Sequence, residues 1–104
     1  PPFHYMIALV GGDVRCTPYA TFGTAELAES AVRGLQGRRA CLLGNHGVMA
    51  IGSTLARAHA VAVEVENLAD EYLSMLSAGL RPQLLDDAEI QKVVALFTDY
   101  GRLG

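Results

Sequence analysis

The chain is 104 residues long with a mass of 11.1 kDa, which is material for one domain with one modest core and excludes two independent active sites. Apolar residues make up 51% of it and charged residues 18%, with a mean hydropathy of +0.26, so the polar, highly charged profile of a disordered segment is excluded. The longest unbroken apolar run, Tyr5 to Val10, falls far short of the ~18 residues needed to span a bilayer, and 8 Lys and Arg against 11 Asp and Glu advertise no basic surface for nucleic acid or anionic lipid.

The first run, Phe3 to Val10, lies between Pro1-Pro2 and Gly11-Gly12 and reads as a buried strand. It has no polar lead-in, as expected of a chain that starts inside a domain; a terminal strand tied at once into its sheet is the alternative. Val14 to Tyr19 reads as a second short extended piece, and Pro18 confines its end to a sheet edge or exit. A helix follows, with Thr24 as N-cap, Glu26 in its first turn, Leu27, Ala31 and Leu35 at helical spacing, and Gly37 as its stop. Ala40 to Leu43 and Val48 to Ile51 are apolar runs of strand length on either side of Gly44-Asn45-His46-Gly47. Ser53 and Thr54 offer N-caps for the longest periodic stretch, in which Leu55, Ala58, Ala62, Val65, Ala69, Tyr72 and Leu76 form the expected apolar stripe until Gly79 and Pro82. A last helix is signalled by Asp86-Asp87 ahead of Ile90, Val93, Val94, Phe97 and Tyr100, with Gly101 as its C-cap. The order strand, strand, helix, strand, strand, helix, helix predicts a layered α/β fold.

A histidine between glycines at a strand-to-strand turn has a backbone free to approach a ligand and an imidazole at the rim of the sheet, where metal ligands and general bases sit; a turn-capping role is the plain alternative. Catalytic zinc takes three protein ligands. His4, in the first run, and His59, in the middle of the long helix, do not complete a set with His46, so that histidine needs partners from elsewhere. Cys16 and Cys41 are too few for a disulfide framework and no leader is visible, which predicts a reducing cytoplasm.

His4-Tyr5-Met6-Ile7-Ala8, Gly11-Gly12, the stretch from Pro18 to Leu27, Leu42 to Gly47, Glu64 to Ala69 and Phe97 to Gly101 together resemble the C-terminal half of the class II aldolase/adducin family, in register over essentially the whole chain. The resemblance implies a layered α/β/α domain with a mostly antiparallel central sheet, of which residues 1–104 are the C-terminal portion. It implies zinc-dependent cleavage of a ketose 1-phosphate, of the L-fuculose type, to dihydroxyacetone phosphate and a short aldehyde. His46 matches a zinc-binding histidine of these aldolases, whose other ligands come from the N-terminal half. The ion acts there as a Lewis acid that stabilises the enediolate left by carbon–carbon bond cleavage. Tyr5 matches a tyrosine that reaches a neighbouring subunit's site and exchanges a proton with the aldehyde oxygen, and a phenol suits that role because it is neutral at pH 7 yet can donate. Phe97 and Tyr100 match aromatic residues that shape the aldehyde side of the pocket, with simple helix-face packing as the plain alternative. A homo-oligomer, a tetramer, with sites between subunits is implied as well, and no nucleic acid or membrane partner.

The family's acidic proton-transfer residue and its phosphate-binding loops have no counterpart in this chain, and Glu64 and Glu66 read as solvated helix residues. Alone, the chain is therefore expected to be inactive. Two other readings use the same fold: a pentulose-phosphate 4-epimerase or dehydratase with related enediolate chemistry, and a non-catalytic adducin-like interaction module.

Overall fold

The computed structural model describes residues 1–99, in the order 3-10 helix Tyr5–Leu9, β1 Arg15–Thr17, α1 Ala25–Leu35, β2 Ala40–Leu43, β3 Gly47–Ala50, α2 Leu55–Ser77 and α3 Asp87–Asp99. Every element after the first has the expected type. The expected strand from Phe3 to Val10 is instead a turn of 3-10 helix, capped by His4, whose Nδ1 accepts from the Met6 N–H at 3.1 Å. The amides of Val10 and Gly11 then donate to Ile7 and Ala8 at 3.0 and 3.1 Å, and Gly11 takes φ 120 to leave the coil. From Tyr5 to Val10 the run is apolar at every position and has no period, so strand and helix bury it equally well. The outcome follows from its neighbours: Val10 packs with Val61 and Val65, and Ile7 with Leu68 and Ile90, all from α2 and α3.

The three strands form one mixed sheet in the order β1-β2-β3, with β1 and β2 parallel and β2 and β3 antiparallel. Helix α1 is the crossover between the two parallel strands, the connection such a pair requires. The pleat of β2 separates two layers. Ala40 faces Val61 and Val65 of α2, whereas a Cβ at Gly34 of α1 would lie 3.0 Å from the Cys41 sulfur. Thus α1 covers one face, and α2 with the 3-10 helix covers the other.

Local chemistry explains the helix limits. Thr24 Oγ1 accepts from Leu27 N at 3.2 Å and Thr54 Oγ1 from Arg57 N at 3.1 Å, each satisfying an amide that the first turn leaves unpaired. Asp86 Oδ1 does the same for Glu89 N at 2.8 Å. At the other end of α1, the Arg15 guanidinium donates to the carbonyls of Gln36 and Arg33 at 2.7 and 3.2 Å, and Gly37 turns the chain away with φ 68. On α2 the buried residues are Val61, Val65 and Leu68, so of the expected stripe Val65 is buried and Ala58, Ala62 and Tyr72 half-buried, while Leu55, at 87%, Ala69 and Leu76 are exposed. That helix is rich in Ala and Val around its whole circumference, so its spacing does not single out one face. On α3, Ile90 and Phe97 are buried as expected; Tyr100 and Gly101 lie outside the described residues. No helix among the described residues is long and apolar enough to cross a membrane.

Candidate active site

Because β1 and β2 are parallel and Thr17 pairs with Leu43, the residues that follow both strands emerge together at one end of the sheet. This is the end at which α/β folds place their ligand sites. There the loop Pro18-Tyr19-Ala20 lies beside the turn Gly44-Asn45-His46. The Gly44 amide donates to the Thr17 carbonyl at 3.1 Å, and a Cβ on Gly44 would come within 2.6 Å of that oxygen and 3.1 Å of the Tyr19 nitrogen. Only glycine permits so close an approach. Asn45 takes φ 63, a left-handed conformation that asparagine tolerates better than most residues, and the His46 amide closes the turn on Leu43 O at 2.9 Å.

Backbone geometry thus delivers the His46 side chain, exposed, to the surface between the two segments. Its Nε2 lies 2.7 Å from the Ala20 carbonyl oxygen, and its ring stacks on Tyr19 with centroids 5.4 Å apart and planes 5° from parallel. A carbonyl oxygen can only accept, so Nε2 carries a hydrogen, and in the neutral imidazole Nδ1 then holds the lone pair. An imidazole that donates from one nitrogen to a backbone carbonyl and leaves the other free has the arrangement of a metal ligand with its outer partner in place.

His46 therefore fits as one ligand of a divalent metal. It does not make a site alone: among the described residues no three His, Cys, Asp or Glu side chains converge to hold an ion. His4 spends its Nδ1 as a helix cap, and His59 is exposed on α2. Both cysteines are free thiols, and burial, with Cys16 nearby, pushes the Cys41 thiol up, which disfavours the thiolate that metals bind.

Tyr5 opens the 3-10 helix and is 51% exposed. Its ring stacks on His4 at 4.9 Å and meets Phe97 edge-on at 6.2 Å, so two of the expected site residues are brought together. Phe97 is 8% exposed and supports the Tyr5 ring from below. The His46 group and the Tyr5 group are built on different elements: the paired strand ends, and the junction of the 3-10 helix with α3. Tyr100 lies outside the described residues.

Tyr19 and Ala20 belong to the stretch that carried the resemblance, but the sequence reading gave them no site role. The available signal was topological: a strand, a helix and a strand in succession imply a parallel pair, whose following loops must be neighbours.

The Class II Aldolase and Adducin N-terminal domain family matches residues 1–73. Over 102 residues the chain is 48% identical to a 5-methylthioribulose-1-phosphate/5-deoxyribulose-1-phosphate aldolase of Rhodospirillum rubrum, covering 97% of this chain and 46% of that protein. It is 45% identical to the L-fuculose phosphate aldolase of Escherichia coli strain K12, covering 97% of this chain and 47% of the relative. A solved L-fuculose 1-phosphate aldolase superposes with a TM-score of 0.90 at 43% identity, over 94% of this chain and 46% of that one. The chain spans about half the length of these relatives. It belongs to the class II aldolase and adducin family.

Proposed function

We propose that residues 1–104 are the C-terminal portion of one domain of a metal-dependent class II aldolase, which cleaves a ketose 1-phosphate to dihydroxyacetone phosphate and a short aldehyde. The observation that carries this reading is His46: an exposed imidazole at the paired strand ends, held by the Ala20 carbonyl with its other nitrogen open. Family membership and the names of the relatives, all sugar-phosphate aldolases, point the same way.

A bound divalent metal, zinc in this reading, supplies Lewis-acid polarisation of the ketose oxygens. This chain contributes His46 to the ion, and the remaining ligands come from residues beyond those described. Tyr5 carries a phenol on an exposed face, suited to taking the proton of the hydroxyl that becomes the aldehyde oxygen during cleavage and to giving it back to that oxygen in the condensation direction. Phe97 meets that ring edge-on, and the family resemblance assigns Phe97 and Tyr100 to the aldehyde side of the pocket. As the family resemblance implies, Tyr5 would serve a neighbouring subunit's site, within a cytoplasmic homotetramer.

The test is product analysis by NMR with the natural polypeptide that carries these residues. The substrates are L-fuculose 1-phosphate, 5-deoxyribulose 1-phosphate, 5-methylthioribulose 1-phosphate and a pentulose 5-phosphate. Dihydroxyacetone phosphate should appear from at least one ketose 1-phosphate, disappear on chelation and return with Zn2+. The separate chain 1–104 should release none. Epimerised pentulose without cleavage, or no turnover with zinc bound, would replace this reading by the epimerase or the interaction module.

A further inference from the structure

Tyr19 is a large aromatic residue left 59% exposed, and its ring is laid flat against His46. A lone exposed aromatic is ordinary. Here, however, the loop that carries it is tightly constrained. Pro18 restricts the backbone ahead of Tyr19, the missing side chain at Gly44 lets the Pro18–Tyr19 backbone approach the turn, and the next residue, Ala20, is buried and presents its carbonyl to His46 Nε2. Two consecutive residues therefore grip one imidazole from two directions. The carbonyl fixes which nitrogen bears hydrogen, and the parallel ring blocks rotation about the bond that swings the imidazole.

We infer that Tyr19 is a positioning residue for His46, holding the ring by offset parallel stacking so that its free nitrogen is already oriented when a metal ion arrives. The inference rests on the reading of His46 as a metal ligand. It assigns the tyrosine's ring, and not its hydroxyl, as the working part: no hydrogen bond of that hydroxyl enters the arrangement, and an offset parallel stack needs only the π-face. Without the stack the imidazole must be ordered at the moment of binding, and affinity falls by the cost of that ordering.

The experiment measures Zn2+ dissociation constants by chelator competition in the natural polypeptide, for wild type, Tyr19→Phe, Tyr19→Leu, Tyr19→Ala and His46→Ala, together with each thermal midpoint and KM. Tyr19→Phe should bind within about twofold of wild type, while Tyr19→Ala and Tyr19→Leu should bind about tenfold more weakly. The midpoints should stay together, because the side chain is largely in solvent. Tyr19→Leu keeps the bulk without the flat face, so the comparison survives should the alanine variant fold poorly. The inference is overturned if Tyr19→Ala and Tyr19→Leu keep wild-type zinc affinity while KM rises, the result for a pocket wall, or if Tyr19→Phe is as weak as Tyr19→Ala. Undiminished zinc binding by His46→Ala would instead remove the ligand reading itself, whatever the Tyr19 variants do.

Discussion

At Gly44 the fold leaves no room for a side chain. The Thr17 carbonyl stands 2.6 Å from where a Cβ would sit, and that neighbour is backbone, which cannot swing aside. Gly44→Ala should therefore push the turn away from Pro18-Tyr19 and cost about 1–3 kcal/mol, the range for overpacking a tight site. Thermal unfolding should show a lowered midpoint, and zinc affinity should fall with it, because the same displacement pulls His46 from Ala20. An unchanged midpoint would mean that the two loops are not in the contact described. At this scale the Gly44-Asn45-His46-Gly47 turn was legible in sequence, since glycines around a histidine at a strand boundary are chemically conspicuous. Tyr19 and Ala20 were not, because what makes them partners of His46 is the parallel register, which no residue type announces.

Between elements, the Asp13–Arg38 ion pair ties the segment after the 3-10 helix to the turn between α1 and β2, with Arg38 Nε 2.7 Å from Asp13 Oδ1. The Arg38 hydrogen bond holds the Asp13 carboxyl below its ordinary value, against a smaller opposing push from burial. A carboxyl with a depressed folded-state pKa adds stability that is fully present above its unfolded value, near 3.9, and is lost as pH falls through the folded value. Asp13→Asn should thus lower stability at pH 7 by less than about 1 kcal/mol, as expected of a partly exposed pair. The gap from wild type should close below about pH 4 in denaturant titrations; a gap that persists in acid would assign the effect to packing. The helices themselves were legible from their caps, because Thr24, Thr54 and Asp86 satisfy amides by rules that need only local sequence. The apolar segment from Phe3 to Val10 and the buried side of α2 were not, for a related reason. Where every position or every face is apolar, the choice belongs to the neighbours, here Val10 with Val61 and Ile7 with Ile90.

Across the whole molecule, the two small core clusters leave much apolar surface uncovered: Leu55 is 87% exposed, Phe22 80% and Leu73 63%. The radius of gyration, 14.1 Å, exceeds the ~13 Å of a compact domain of about 100 residues. A three-stranded sheet with short strands at both edges also has little to close it. The chain spans about half the length of the relatives it matches. The layered α/β fold was legible from the order of elements; the mixed sheet was not read there, although the succession of strand, helix and strand carries the signal for its parallel pair.

The central claim is that His46 brings a metal to the ends of β1 and β2 for carbon–carbon bond cleavage. The most direct measurement is the zinc content of the purified natural polypeptide, wild type beside His46→Ala, with cleavage of a ketose 1-phosphate followed in the same samples. His46 is exposed and outside the core, so the variant should fold with the wild-type circular dichroism spectrum and midpoint, yet carry little zinc and release no dihydroxyacetone phosphate above background. A His46→Ala protein that keeps stoichiometric zinc and wild-type cleavage would contradict the account.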